Sequence, residues 1–339
     1  MSGEVSSLLV RDIGEQGLLE RLQRFCPIDV VGDDAAVIPA PESGQSLVVT
    51  TDMLVDGVHF SDRTTSPQDA GWRAAAANLS DLAAMGASPL GITVGLSVPG
   101  DVAVSWVEQL YQGMTDCLNQ HDTPIVGGDI CRSSVITISI TAFGQAFPNR
   151  TIQRKAAKVG DAIIVTGFHG AARAGLELLL NPEFGNHLSE SERTNLIRAH
   201  QRPQPRLDIL PVLYSMFDSQ SPRPIAGMDS SDGLADAVVQ ICRASGVGAT
   251  VERTSIPFPP TLSKLVSPEQ ALDWALYGGE DFELVLCLPP EPAKALVKKL
   301  GDGAAIIGEI TTGKEVWLKD SRGNHADEWL TLTQGFQHF

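Results

Sequence analysis

The stretch GDDAAVIPAPESGQSLVVTTDMLVDGVHF, residues 32–60, places acidic side chains around one predicted strand. Asp33 and Asp34 follow a glycine, and Asp52 comes directly after the strand-like run at residues 46–51. Carboxylates at the ends of strands are common ligands of Mg²⁺ and, through it, of polyphosphate. An isolated GDD is more often a simple turn, so this interpretation needs support from the rest of the chain.

Further acidic positions supply that support. Asp81 shares a predicted helix face with Asn78, and Asp129 follows Gly127 and Gly128. Like charges that are packed together raise one another's pKa, so a group of carboxylates usually requires cations. Together these positions predict several acidic clusters that converge on one metal-bound nucleotide.

Length, charge and cysteine usage limit the class of protein. A chain of 339 residues predicts two domains. The formal charge of −16 argues against nucleic acid or an anionic membrane as a partner, although bound metal ions can still attract phosphates. Five scattered cysteines without metal-ligand spacing suit a reducing compartment, and the first residues do not resemble a signal peptide. A cytoplasmic protein is expected.

Hydrophobic periodicity predicts an α+β fold of two domains, residues 1–148 and 149–339. The first contains a mixed sheet with helices, and the second is an α/β sandwich-like domain. The clearest predicted strands are residues 46–51, 92–98, 135–143, 162–166, 304–310 and 315–319, and the clearest predicted helices are residues 15–26, 69–87, 104–120, 171–180 and 291–300. Residues 181–206 are interpreted as polar, proline-rich connections.

A third acidic motif, GMDSSDGLADAVVQICRASG, occupies residues 227–246. The simpler interpretation is a serine-capped helix with acidic residues at the positive end of its dipole. The functional interpretation adds Mg²⁺ at Asp229 and Asp232 and a phosphate at Ser231. The motif alone does not decide between the two.

Several other side chains have an ordinary structural explanation when each is taken alone. His59 suits a half-buried position, and Glu280 suits a loop. Tyr111 fits the packing stripe of its helix. Arg154 suits a solvated surface, although an arginine fork also suits a nucleotide. The segment GEITTGKE at residues 308–315 has Glu315 in place of the hydroxyl of a P-loop and precedes a strand, so a P-loop is excluded.

The order of the motifs is more specific than any one of them. The chain contains, in sequence, GDDAAV, TTDMLVDGVHF, NLSDLAAMGA, VGGD, an R-x-x-A-K-x-GD segment at residues 154–161, DSSDGL and YGGEDFEL. Over residues 14–339 this pattern resembles the thiamine-monophosphate kinase family. The resemblance implies the fold shared with aminoimidazole ribonucleotide and selenophosphate synthetases. In that fold, the N-terminal sheets of two subunits pair into a barrel, so a homodimer is implied.

The resemblance also implies roles for particular residues. The implied metal ligands are Asp34, Thr50, Thr51, Asp52, Asp81, Asp129, Asp229 and Asp232. The implied ATP contacts are Tyr111, Gly128, Asp129, Arg154 and Ser231. The implied substrate contacts are His59, Glu280 and Phe336. The family usually has threonines where this chain has Ile130 and Cys131, and often a tyrosine or tryptophan at the position of Phe336.

The implied activity is Mg²⁺-assisted transfer of a phosphoryl group from ATP to thiamine monophosphate, giving thiamine diphosphate and ADP. The N-terminal domain would bind metal and ATP and form the dimer, and the C-terminal domain would complete the ATP and substrate site. Two alternatives stay open. One is a synthetase of the same fold, and the other is a non-catalytic sensor of a nucleotide or thiamine phosphate.

Overall fold

The structure is a computed structural model that describes residues 8–27, 30, 35–217 and 224–335. Its contacts group into two compact units, one of Met1–Leu82 with Ser88–Gln145 and one of Ala83–Ala87 with Ala146–Phe339. The α+β fold class is confirmed, while the boundary at 148/149 and the roles of the two domains stay predictions. Within the described ranges no helix is both long and apolar enough to cross a membrane.

The described part of the first unit contains one mixed sheet and three helices. Its strands are β1 (Ser46–Val55), β2 (Ser88–Val98), β3 (Ile125–Arg132) and β4 (Thr137–Ala146), and its helices are α1 (Val10–Leu22), α2 (Pro67–Ala84) and α3 (Val104–Leu118). The strand order is β1-β4-β2-β3. Because β2 runs parallel to β3 and antiparallel to β4, the sheet is mixed, as predicted.

Alternation in sequence produces the buried face of this sheet. Along β4 every second side chain is buried, beginning with Ile138 and Ile140. Val94 of β2 lies opposite Ile140 in the antiparallel register and is also fully buried. Leu79 and Met114, from α2 and α3, are equally inaccessible to water. Apolar residues recur every two positions in the strands and about every 3.6 positions in the helices. The sheet and the helices therefore each present one apolar face to the core.

The described part of the second unit contains a seven-stranded sheet and seven helices. The strands are β5 (Ala162–Val165), β6 (Ala226–Asp229), β7 (Gly248–Glu252), β8 (Leu284–Leu288), β9 (Ala305–Thr311), β10 (Val316–Lys319) and β11 (Glu328–Trp329). The helices are α4 (Ala171–Leu180), α5 (Glu190–Gln201), α6 (Ile209–Tyr214), α7 (Leu234–Ser245), α8 (Leu262–Leu265), α9 (Pro268–Tyr277) and α10 (Pro290–Leu300). The strand order is β11-β10-β7-β9-β5-β8-β6.

Helices cover both faces of this second sheet. Ile163 of β5 belongs to a core cluster that includes Ile241 of α7. Its neighbour Ile164 points to the other face and joins a cluster with Leu213 of α6 and Leu296 of α10. Since all four residues of β5 are buried, the strand lies in the middle of a sandwich, which confirms the predicted architecture of the C-terminal half.

One strand was not predicted, and two predictions of local structure were wrong. The sequence around Gly127 and Gly128 forms strand β3. Residues 190–201, interpreted as connections, form helix α5. Helix α7 begins after Gly233, whose φ of 118° and missing side chain rule out the expected serine cap. The helix ends at Gly246, which adopts the left-handed conformation.

Candidate functional site

In the first unit, one edge of α2 meets the polar face of β1. The Thr50 hydroxyl donates a hydrogen bond to the Asp81 carboxylate. Two residues along the strand, the Asp52 backbone N–H donates to the Asn78 side-chain oxygen at 3.2 Å. Thr50 and Asp52 are two residues apart and so lie on the same face of the strand, while Asn78 and Asp81 are three apart and lie on the same face of the helix, which makes the two contacts adjacent. The structure therefore brings Thr50, Asp52 and Asp81 together, as the motifs predict.

Thr51 points to the other face of β1. Its hydroxyl lies 2.9 Å from the hydroxyl of Thr141 on β4, and the residue is exposed. The side chain is therefore separated from the group formed by Thr50, Asp52 and Asp81. Only a backbone atom of Thr51 could share a ligand with that group.

The chemistry of the donors in this group suits a hard cation. Carboxylate and hydroxyl oxygens are the ligands that Mg²⁺ prefers, and sulfur and imidazole are absent from the set Thr50, Asp52 and Asp81. Within the described ranges no three His, Cys, Asp or Glu side chains lie close enough to form a complete metal cage. Mg²⁺ itself usually keeps several waters and binds proteins through one or two carboxylates together with substrate phosphates.

A cavity of about 480 Å³ opens beside β3 in the first unit. Three of the predicted nucleotide contacts, Tyr111, Gly128 and Asp129, line it. Apolar side chains such as Leu19 and Phe143 form other parts of its wall. The cavity therefore combines an apolar wall with a carboxylate on an exposed strand, which is the usual composition of a small-molecule site.

Gly128 is required by close packing within the sheet. A β-carbon at this position would lie 2.1 Å from the carbonyl oxygen of Val94 on the neighbouring strand. At Gly127 the nearest atom to an added β-carbon is a methyl carbon of Thr93, at 3.8 Å. Of the two glycines in the GGD motif, only the second, Gly128, has no room for a β-carbon.

His59 follows β1 in a tight turn and has a defined tautomer. Its Nδ1 accepts a hydrogen bond from the Val55 backbone N–H at 3.0 Å, so the proton of the neutral ring is on Nε2. The His59 carbonyl accepts a bond from the guanidinium of Arg73, which is itself buried on α2. The imidazole is thus oriented to donate through Nε2.

In the second unit, the DSSDG motif forms a turn between β6 and α7. Asp229 is buried at the end of β6, and its carboxylate accepts a hydrogen bond from the Ser231 hydroxyl at 3.1 Å. The Ser230 backbone N–H donates to the Glu283 carbonyl at 2.8 Å. Asp232 is exposed. The turn therefore presents one fixed and one accessible carboxylate on either side of the two serines.

Arg154 lies beside the first turns of α7. Its guanidinium donates to the Gln240 side chain at 2.7 Å, and Gln240 donates in turn to Asp236. Burial and then the charge of Asp232 raise the pKa of the Asp236 carboxyl, while Arg154 opposes the shift. Arg154, Asp232 and Asp236 therefore belong to one electrostatic group.

Glu280 occupies an unusual backbone conformation. Its φ is 62°, and Gly279 and Phe282 also have positive φ, at 65° and 53°. For residues with a β-carbon this region costs free energy and persists only where surrounding contacts impose it. The Glu280 backbone N–H donates to the Ser231 carbonyl at 2.7 Å. This bond joins the GGEDFE loop, residues 278–283, to the DSSDG turn.

Two largely buried carboxylates, those of Asp281 and Glu283, anchor the GGEDFE loop. Asp281 accepts hydrogen bonds from the backbone N–H groups of Gly170, at 2.7 Å, and Ala172, at 3.0 Å, at the start of α4. Burial raises the pKa of Asp281 to about 7, and nearby carboxylates add to this shift. Burial also raises the pKa of Glu283, whose carboxylate pairs with Arg206 and accepts a bond from Thr166.

Two histidines near this loop were not predicted as site residues. The ring of His200 on α5 lies against Glu280, with 3.3 Å between Nδ1 and the nearer carboxylate oxygen. His169 bonds to Ser230. A signal for α5 was present, because Ser189 and Glu192 form the S-x-x-E pattern of a capping box. No local signal connects either histidine to a site.

Two predicted site residues, Asp34 and Phe336, lie outside the described residues, as does Asp33. Their assignments as metal ligand and substrate contact stay predictions. The same holds for the roles of the described residues, because their geometry fits these roles without identifying a ligand.

Comparisons with known proteins agree with the order of the motifs. Residues 32–146 match the N-terminal domain of AIR synthase related proteins, and residues 158–320 match the C-terminal domain. The chain is 52% identical to a thiamine-monophosphate kinase of Synechococcus elongatus over 99% of both chains. It is 37% identical to the enzyme of that name from Escherichia coli K12 over 91% of both.

A solved structure gives the same result. AaThiL complexed with AMPPCP and TMP superposes with a TM-score of 0.71 at 30% identity, covering 94% of this chain and 97% of that one. With the two domain matches and the full-length relatives, this similarity leads to one conclusion: the chain belongs to the thiamine-monophosphate kinase family of AIR synthase related proteins.

Proposed function

We propose that this protein transfers the γ-phosphoryl group of ATP to thiamine monophosphate, giving ADP and thiamine diphosphate. The observation that carries the proposal is the 52% identity with a thiamine-monophosphate kinase across 99% of both chains. The relative solved with an ATP analogue and TMP supports the choice of both substrates. The protein is then an ATP-dependent phosphotransferase of thiamine diphosphate biosynthesis, with a phosphate group as acceptor.

The acceptor chemistry does not demand a dedicated general base. The nucleophile is a phosphate oxygen, and a monophosphate has a second pKa of about 6, so it is largely ionised at neutral pH. The task of the protein is to hold two anions in line and to neutralise the charge between them. We expect direct transfer, with no phosphorylated enzyme. Stable label on the protein from γ-labelled ATP would contradict that.

Mg²⁺ fits the oxygen donors of both units. In the first unit Thr50, Asp52 and Asp81 would hold it, with Thr51, Asp129 and Asp34 also assigned by the family pattern. In the second unit Asp229 and Asp232 would hold it. Bound Mg²⁺ would neutralise phosphate charge as the phosphoryl group moves. The acidic protein can attract two polyanions only when such cations accompany them.

The nucleotide is assigned to the cavity beside β3 and to the DSSDG turn. The apolar wall near Tyr111 suits a purine ring, and Gly128 exposes strand backbone next to Asp129. In the second unit Arg154 and Ser231 would contact phosphate oxygens, since a guanidinium and a hydroxyl are suitable donors.

The acceptor is assigned to His59, Glu280 and Phe336. His59 can donate through Nε2 to the phosphate, because its Nδ1 is occupied by the Val55 backbone N–H. Glu280 supplies a carboxylate, which suits the thiazolium charge or the amino group of the pyrimidine ring. Phe336 would stack on one of the rings.

A homodimer is part of the proposal. Leu47, Val49 and Met53 are each at least half exposed, and the alternation of β1 places them on the same face of the first sheet. A second copy of this sheet, paired into a barrel as in the family fold, would cover this apolar stripe.

The free cysteines of the described chain are consistent with a reducing cytoplasm, the compartment we propose.

The experiment that tests the function is ADP release from ATP and Mg²⁺ with thiamine monophosphate, with thiamine, or with no acceptor. We expect turnover only with the monophosphate, and its loss in Asp52→Asn. Turnover with another acceptor would identify a different enzyme of this fold. ATP binding without turnover on any acceptor would identify a sensor.

A further inference from the structure

The carboxylate of Glu280 belongs to a loop whose backbone is closely fixed. The backbone N–H of Glu280 donates a hydrogen bond to the Ser231 carbonyl. The next residue, Asp281, caps α4 by accepting hydrogen bonds from the backbone N–H groups of Gly170 and Ala172. The side chain itself keeps 34% of its surface exposed. A long, partly exposed glutamate has several rotamers, so a fixed backbone does not by itself fix the direction of the carboxylate.

Helix α5 brings His200 to that carboxylate. The side chain of His200 is only 4% exposed, and its Nδ1 lies 3.3 Å from Oε2 of Glu280, a distance short enough for an ion pair, although the two groups are not aligned as a hydrogen bond. The position of α5 is set by contact with α4 at Gly175, where an added β-carbon would lie 2.1 Å from the Leu196 carbonyl oxygen. The same pair of helices therefore holds Asp281 through the start of α4 and approaches Glu280 through α5.

The charges around Glu280 give this contact a consequence. The carboxylates of Asp281 and Glu283 lie in the same loop, and the charge of Glu280 contributes to the raised pKa of Asp281. Glu283 pairs with Arg206. A hydrogen-bond donor on α5 would attract the Glu280 carboxylate towards that helix, away from the carboxylates of Asp281 and Glu283, and would hold Glu280 in one rotamer.

We propose that His200 is a positioning residue for the acceptor substrate: when thiamine monophosphate binds, the 3.3 Å contact of its Nδ1 with Glu280 tightens into a hydrogen bond that holds the Glu280 carboxylate in the binding orientation. This inference rests on the proposed function and adds a residue outside the family motifs described above. His200 acts through Glu280, so its removal should weaken binding of the acceptor and leave binding of ATP unchanged.

The atom involved allows a matched pair of variants. In asparagine the side-chain nitrogen occupies nearly the position of histidine Nδ1, whereas in glutamine it occupies that of Nε2. His200→Asn therefore retains the donor that faces Glu280, and His200→Gln removes it while changing the volume less. A purely structural role for the ring would predict the opposite order, because glutamine fills the buried space better.

The experiment measures steady-state ADP release for the full chain and its His200→Ala, His200→Asn and His200→Gln variants. We expect the KM for thiamine monophosphate to rise about tenfold in His200→Ala and His200→Gln, the effect of losing one hydrogen bond to a charged group. We expect it to rise less than about threefold in His200→Asn, with the KM for ATP within about twofold in all variants.

A double-mutant cycle tests whether His200 acts through Glu280. In the background of Glu280→Ala, we expect His200→Ala to change the KM for thiamine monophosphate by less than about twofold. An undiminished effect in that background, an unchanged KM in His200→Ala, or equal effects of asparagine and glutamine would each overturn the inference. A wild-type protein that releases no ADP with thiamine monophosphate would instead overturn the proposed function itself, before any variant is compared.

Discussion

The Nε2 atom of His169 lies 3.0 Å from the hydroxyl oxygen of Ser230, in the middle of the DSSDG turn. The other ring nitrogen lies 3.2 Å from the Gly167 carbonyl, and the Ser230 hydroxyl also lies 3.1 Å from the Glu283 carbonyl, which can only accept. The ring is fully buried, and burial lowers its pKa from 6.5 to about 4. The turn that carries Asp229 and Ser231 is therefore supported by a neutral imidazole.

This burial predicts a dependence of stability on pH. Between pH 6.5 and 4 the unfolded chain binds a proton at His169 that the folded chain does not, so stability falls as the pH is lowered. From pH 7 to 5 we expect this residue to account for a loss of about 2 kcal/mol in the free energy of unfolding. Urea unfolding at pH 7, 6 and 5 measures it.

The control for that prediction is His169→Gln, whose side-chain amide can still form a hydrogen bond with Ser230 but does not titrate in this range. The difference in the free energy of unfolding between wild type and His169→Gln should narrow by about 2 kcal/mol between pH 7 and 5. Parallel pH profiles for wild type and variant would show that the buried ring does not contribute.

The two glycines of the GGD motif offer a second prediction. Gly128→Ala places a β-carbon 2.1 Å from the Val94 carbonyl oxygen, so β2 and β3 must separate. We expect a loss of about 2–4 kcal/mol in stability, measured by denaturant unfolding. Gly127→Ala is the matched control, because its nearest contact would be an ordinary 3.8 Å, and it should change stability by less than about 1 kcal/mol. Equal losses would contradict the strand pairing.

Elements with strong periodicity could be predicted from sequence. Helix α4 was predicted with the bounds 171–180 that it has, because its apolar face is clear. Helix α5 was missed because it buries only Leu196 and His200 and most of its other residues are polar. Strand β3 was missed because glycines are poor strand formers, and here packing against β2 overrides propensity.

In the proposed site, too, some residues could be predicted from sequence and others could not. Motifs predict roles for residues such as Glu280 and Asp229 because the residue types of a motif are local in sequence, and these roles stay predictions. Their supports come from distant segments: Asp281 caps a helix 111 residues earlier, and Thr166 bonds to Glu283 across 117 residues. Such partners depend on the topology of the sheet, which no spacing in a single sequence encodes.

Asp81→Asn tests the β1/α2 group by activity. The amide keeps the volume and can still bond to Thr50, but it removes a negative charge from the proposed Mg²⁺ site. We expect kcat/KM for thiamine monophosphate to fall by about 100-fold or more at saturating Mg²⁺. Asp101→Asn, an exposed aspartate outside the proposed site, makes the same charge change and should stay within about twofold. Comparable losses in both variants would assign the effect to overall charge.

Mg²⁺ should stabilise the folded protein, because only the folded chain brings Thr50, Asp52 and Asp81 together. At about 100 times its dissociation constant, a ligand specific for the folded state adds about 2.7 kcal/mol of stability, which corresponds to a rise of a few degrees in Tm. Thermal unfolding over a MgCl₂ titration at constant ionic strength measures this rise. Asp81→Asn should reduce it, while Asp101→Asn should retain it. A Tm that does not move in wild type, or that moves equally in Asp81→Asn, would mean that this group of oxygens does not bind the metal.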